Sequence, residues 1–261
     1  MDFQHATTFD AWTGVASAAL YLSVGLAAFA RAPHDSRTRA FLTIAIASLT
    51  PYLLPAVAGR LGTGALLSVA AVATAGSLAV GSVALLHFTQ VFPAPRPWIR
   101  SHGPWLAAAY LALPVGAAVG ASALLPVVAM MADAGTATSS GGLGAVGIGF
   151  GASLIVLVVL LPTIFVVGVV LPFAALLSLY KSWQEAKRDA RDGARVTTLT
   201  ILISQLAGGV LTILIVPLLH LLAPAGPWVT MAAALLFGFG LLFPIAFAIG
   251  VWKYRLIAVV S

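Results

Sequence analysis

Cysteine does not occur in this chain, and its absence removes disulfides, thiolate metal sites and cysteine nucleophiles together. Charge is nearly as scarce. Asp, Glu, Lys and Arg make up 8% of the residues, where soluble domains carry roughly a quarter. None of them falls near the middle of a long apolar run, although a proton-coupled carrier, a voltage sensor or a Schiff-base retinal protein needs ionisable groups there. Phosphate-loop GxxxxGK(S/T), nucleophile-elbow GxSxG and zinc-binding HExxH patterns are missing as well. Carboxylates are confined to loops and termini, so an intramembrane hydrolase or transferase lacks its acid and base. The expectation is a protein that is not an enzyme, with no catalytic residue, no metal site and no cofactor.

What the chain has is hydrophobicity: 61% of its 261 residues are apolar or aromatic and the mean hydropathy is +1.07. About twenty such residues cross the hydrocarbon core of a bilayer. Seven spans are expected, at about 11–31, 38–58, 64–92, 104–127, 143–180, 197–222 and 227–252. The third and fifth exceed what a crossing needs and must tilt, kink or project. The fold class is therefore an all-α membrane protein, one domain over residues 1–261 forming a seven transmembrane helix bundle. The first ten residues carry Asp2 and Asp10 and no positive charge, so they do not read as a cleavable signal peptide.

Charge orients the bundle. The net charge of +6 is concentrated in alternate connections: Arg31, Arg37 and Arg39, then Arg96 and Arg100, then Lys181, Lys187, Arg188, Arg191 and Arg195. The connections between them hold Arg60, then Asp133, then nothing charged. The positive-inside rule puts the N-terminus outside and the C-terminus in the cytoplasm of a bacterial inner membrane. Basic residues arranged this way answer to the bilayer and not to nucleic acid. Trp12, Trp98, Trp105, Trp228 and Trp252 lie near span ends, as interfacial indoles do. The Gly-, Ser- and Thr-rich stretch Ala134 to Gly142 reads as an outer loop.

Inside the spans, polar groups are mostly uncharged. Tyr52, His87, Gln90, Gln205 and His220 are the candidate polar or ligand contacts. His87 and His220 fall near opposite membrane faces and cannot share a metal; His87 reads first as a packing residue, and His220 could join His5, Asp2, Asp10 or Asp133 outside. Gly116 with Gly120, and Gly147 with Gly151, have the spacing that lets helices approach closely. Pro51, Pro55, Pro114, Pro162, Pro172, Pro217 and Pro244 each remove a backbone donor and can kink a span. Lys181 to Asp192 is expected to extend the fifth helix into the cytoplasm, supported by Lys181–Glu185 and Arg188–Asp192 pairs, until Gly193 ends it.

Two stretches resemble a known family. Pro244 followed by a small, apolar run and then Lys253, Tyr254, Arg255 and Leu256 is similar to the closing helix of the N-terminal seven-helix sensor domain of bacterial membrane histidine kinases. His87-Phe88 through Phe92-Pro93, with Trp98 following, resembles the end of that family's third helix. The resemblance implies sensing, with Pro244, Lys253, Tyr254, Arg255 and Leu256 as the output junction. No signalling helix, phospho-accepting histidine box or ATPase domain follows Ser261, so output is expected from a cytoplasmic signalling partner or a fused domain. The alternative is a non-catalytic accessory, scaffold, pore or carrier subunit packed against other membrane subunits. Either way the first partner is the lipid bilayer, and homo-oligomers are compatible with both.

Overall fold

In hydrocarbon a chain must pair its own backbone N–H and C=O groups, and a single segment does this only as a helix. The computed structural model describes residues 3–61, 64–95, 97–134, 154–189, 191–211, 218, 235 and 238–257, and every regular element among them is helical. Seven helices are described: α1 (Phe3–Arg31), α2 (Ser36–Leu61), α3 (Gly64–Val91), α4 (Pro97–Ala134), α5 (Val156–Arg188), α6 (Asp192–Ser204) and α7 (Leu242–Trp252). A π-helical stretch, Gln205–Leu211, continues α6.

Among the described residues three stretches are long and apolar enough to cross a membrane: Ser68–Val91, Gly103–Pro126 and Val156–Arg188. Their outer faces expose Val69 (64%), Leu111 (71%) and Val158 (62%). Apolar surface on this scale marks a lipid or protein contact, so the chain is a helical protein that associates with membrane.

Consecutive helices pack on one another from α1 to α4, α5 packs on both α3 and α4, α6 on α5, and α7 on α6 and α1. The order thus closes on itself. Gly116 and Gly120 set the α4–α5 approach. A Cβ on Gly120 would lie 2.6 Å from the Leu160 Cβ, so the close-packing spacing seen in the sequence is used here.

Several helix ends differ from the sequence expectation, which tracks only the apolar part of each helix. α1 begins at Phe3, α4 runs on to Ala134, and α6 already starts at Asp192. Gly193 does not end the α5 extension. That helix stops at Arg188, capped by Asp189, which puts Arg188 and Asp192 on either side of a break and rules out an intrahelical pair. Gly193 instead makes room for an aromatic ring: a Cβ there would meet Tyr254 at 2.6 Å.

Prolines act unevenly. α4 runs through Pro104, Pro114 and Pro126 as one helix, and α2 likewise spans Pro51 and Pro55. In α5, by contrast, π-helical turns at Val156–Leu160 and Val166–Val170 immediately precede Pro162 and Pro172. Each proline lacks a donor and pushes away the carbonyl four residues back, and the turn before it widens to i→i−5 bonding. Pro217, His220, Trp228, residues 135–142 and the Gly147–Gly151 pair lie outside the described residues.

The buried core gathers at one end. Phe41 of α2, Phe88 of α3 and Phe243 and Phe247 of α7 are fully buried with Phe92, just past α3. Phe41 and Phe247 stack with ring centroids 4.1 Å apart, and Tyr21 of α1 stacks on Phe41 at 6.0 Å. This is also the end that carries the α1–α2 connection and the α5–α6 connection, where most of the basic residues sit.

Candidate functional site

The site begins with a missing donor. Pro244 has no N–H for the carbonyl of Gly240, four residues earlier, so that acceptor is left over within an apolar helix. Two other helices fill the vacancy: Tyr21 Oη of α1 donates to the Gly240 oxygen at 3.0 Å, and Ser204 Oγ of α6 donates to it at 3.2 Å. One proline thereby ties α1, α6 and α7 to a single atom. Around this junction lies a cavity of about 280 Å³ lined from five helices, including Ser17, Ser48, Ser77, Ser82 and Gln205. Gly208 and Gly240 pack backbone to backbone at its wall, and a Cβ on Gly208 would come within 2.3 Å of the Gly240 nitrogen.

Removing the Tyr21 hydroxyl tests the junction. Tyr21→Phe leaves Ser204 still donating to Gly240 and is expected to cost about 0.6 kcal/mol, the usual size of an interhelical hydrogen bond in membrane proteins. Adding Ser204→Ala leaves the carbonyl with neither hydroxyl, so the double variant loses more than the sum of the singles. A double-mutant cycle of denaturation midpoints in micelles reads this, and strict additivity would sink the shared-acceptor account.

The second half of the site is a polar clamp at the aromatic end. Asp35 N-caps α2, accepting the Arg37 N–H at 2.8 Å as a helix N-terminus requires. The Arg37 guanidinium folds back on the same carboxylate, with Nη2 2.6 Å from Oδ2. Its Nη1 donates to the carbonyl of Pro93 at 2.8 Å and to that of Leu256 at 2.6 Å. A planar, multi-donor cation suits this fork, which an ammonium cannot reproduce. One side chain thus joins the start of α2, the segment after α3 and the segment after α7.

Burial pushes the Asp35 carboxyl upward, but the hydrogen bonds and charge of Arg37, with Arg39 adding, outweigh it and hold the group below the ordinary carboxylate value of 3.8. A depressed folded-state pKa gives stability that is present above the unfolded value and lost as pH falls through the folded one. Acidification below about 3.8 is therefore expected to loosen this end. Asp35→Asn should flatten that acid limb in a pH series of thermal melts, and an unchanged limb would count against it.

Six of the residues flagged in the sequence fall at these two places. Pro244 supplies the junction and Gln205 lines the cavity. Leu256 gives its carbonyl to Arg37, Tyr254 packs on Gly193, and Lys253 Nζ sits 5.5 Å above the Tyr254 ring. Arg255 is exposed at a φ of 49°, a left-handed turn after which the Leu256 N–H reaches back to the Gly250 carbonyl. His87 belongs to neither place: its Nδ1 lies 3.3 Å from Tyr110 Oη of α4, as the packing reading expects. Gln90 is half-buried one turn further along α3, and the side chain of Tyr52 lies outside the described residues, as does His220.

Sequence reasoning missed Arg37 and Tyr21, whereas Ser204, a polar residue of the sixth span, makes the interhelical hydrogen bond expected of such residues. Asp35 directly before the α2 run was a legible capping signal, and the carbonyl four residues before each proline was a legible vacancy. Among the described residues no group of three or more His, Cys, Asp or Glu side chains could hold a metal. Comparison with known proteins finds no matching family model, curated protein or solved structure.

Proposed function

We propose that the chain is a seven-span membrane sensor bundle, N-terminus outside and C-terminus cytoplasmic, that passes a signal through α7 to a cytoplasmic partner or fused output domain. One observation carries the reading: α7 is held at both ends by groups from other helices, at Gly240 by Tyr21 and Ser204 and just beyond Trp252, at Leu256, by Arg37. A helix held this way has two sites at which its position can be biased, and differential affinity of a signal for two bundle states is what a switch requires. The crowding of Arg31, Arg39, Lys181, Lys187, Lys253 and Arg255 at the clamp end supports that end as cytoplasmic, and the similarity to histidine-kinase sensor domains supports the output role of residues 253–256.

A reporter kinase fused after Ser261 tests this. Substituting Pro244, Arg37 or Arg255 is expected to shift basal kinase output, and unchanged output in all three would overturn transmission through α7. A second reading, an accessory subunit packed against other membrane chains, draws on a mostly apolar cleft of about 820 Å³ between α2, α3 and α4. Purification of the chain in a stable complex with membrane enzyme subunits, together with a silent reporter, would favour it.

A further inference from the structure

The cavity above the aromatic cluster mixes two kinds of lining, and the mixture selects a ligand. Ile44, Leu85 and Phe243 supply hydrocarbon and an aromatic ring, while Ser48, on the same helix face as Ile44, and Ser82, on the same face as Leu85, supply hydroxyls beside the Gln205 amide. The serine hydrogens are partly committed. Ser48 Oγ donates to the Ala45 carbonyl at 2.8 Å and Ser82 Oγ to the Leu78 carbonyl at 3.0 Å, so these two hydroxyls offer the cavity only lone pairs. Tyr21 likewise spends its hydrogen on Gly240. Among the described residues no ionisable acid or base lines the space apart from that phenol, and a charged occupant would be desolvated without a counter-charge.

Size narrows the class further. A cavity of about 150 Å³ takes up benzene, so one of about 280 Å³ has room for a single ring together with polar substituents.

We infer that this cavity binds a small, neutral, ring-sized molecule that donates hydrogen bonds to the Ser48 and Ser82 oxygens while its apolar face lies against Phe243. Such a ligand would sit beside the Tyr21–Gly240 bond that ties α1 to α7. The inference supplies a ligand class to the sensor reading and rests on that reading only for the consequence of binding.

The absence of cysteine makes the test direct. In the full chain in phospholipid nanodiscs, Ser17→Cys places a single thiol on the cavity wall, Leu85→Cys is the second variant, and Val158→Cys on the exposed outer face of α5 is the control. The rate of labelling by neutral N-ethylmaleimide is followed with resorcinol, its dimethyl ether or benzoate added. Resorcinol at about ten times its dissociation constant is expected to slow labelling of the cavity thiols about tenfold by occupancy, and to leave Val158→Cys unchanged.

The dimethyl ether keeps the ring and loses both donors, so equal protection by it would overturn donor recognition. Protection by benzoate would overturn the exclusion of charge, and absence of any protection would overturn the site itself. No reporter output enters the measurement, so its failure leaves transmission through α7 standing, and a silent reporter leaves ligand binding standing.

Discussion

Arg37→Ala is expected to open the clamp end of the molecule. The side chain and its Asp35 partner are 13% and 17% exposed, so truncation strands a mostly buried carboxylate together with the Pro93 and Leu256 carbonyls that shared the guanidinium. Removing one partner of a buried pair typically costs 3–5 kcal/mol, and residual exposure places this case near the lower limit, about 3 kcal/mol. Arg37→Lys should recover only part of the loss, since one ammonium cannot fork to a carboxylate and two carbonyls at once. The readout is local: trypsin cleavage after Lys253 and Arg255 should accelerate by about tenfold or more, because proteolysis follows the population of the opened segment. A cleavage rate equal to wild type would show that Arg37 does not hold Leu256.

Gly208→Ala should be the second severe change. The added methyl would sit 2.3 Å from the Gly240 nitrogen and 2.4 Å from its Cα, and both are backbone atoms that no rotamer change can move aside. Overpacking of a well-packed contact costs typically 1–3 kcal/mol, and a backbone-on-backbone clash belongs at the upper limit, about 3 kcal/mol. Gly209→Ala next to it meets only the Gln205 side-chain oxygen, at 3.6 Å, and should be close to neutral. Denaturation midpoints of the two variants in the same micelles make the comparison, and equal midpoints would mean that α6 and α7 do not meet at this point.

The sequence was readable wherever a signal was local. Apolar runs marked the helices, and the spacing of Gly116 and Gly120 marked a contact that α4 and α5 do make. Pro244 and the 253–256 edge were marked through a family resemblance. What was hidden depends on partners far away in the chain. Arg37 read as one more topological charge because its acceptors are 56 and 219 residues distant. Tyr21 read as an aromatic residue in an apolar run because its acceptor lies 219 residues on. Gly193 was misread for a related reason: glycine after a basic helical stretch suggests a C-terminal cap, whereas here its missing side chain is filled by the ring of Tyr254, a contact between non-neighbouring segments.

The cluster of phenylalanines has a mechanical consequence. Phe41 and Phe247 stack at 4.1 Å, Phe88 packs edge-on to both, and Phe92 stacks on Phe88 at 5.0 Å. Packed interiors resist compression and transmit strain, so these rings form a stiff pivot joining α2, α3 and α7. The hydroxyl-lined space on the far side of Tyr21 and Phe243 has no such filling. A force applied there cannot slide α7 along its axis without unstacking the rings; it can only rock the helix about them. Above Phe243 the helix begins at Leu242, whereas below Phe247 it runs on to Trp252, so the Trp252 end is the long arm of a lever and the Leu242 end the short one.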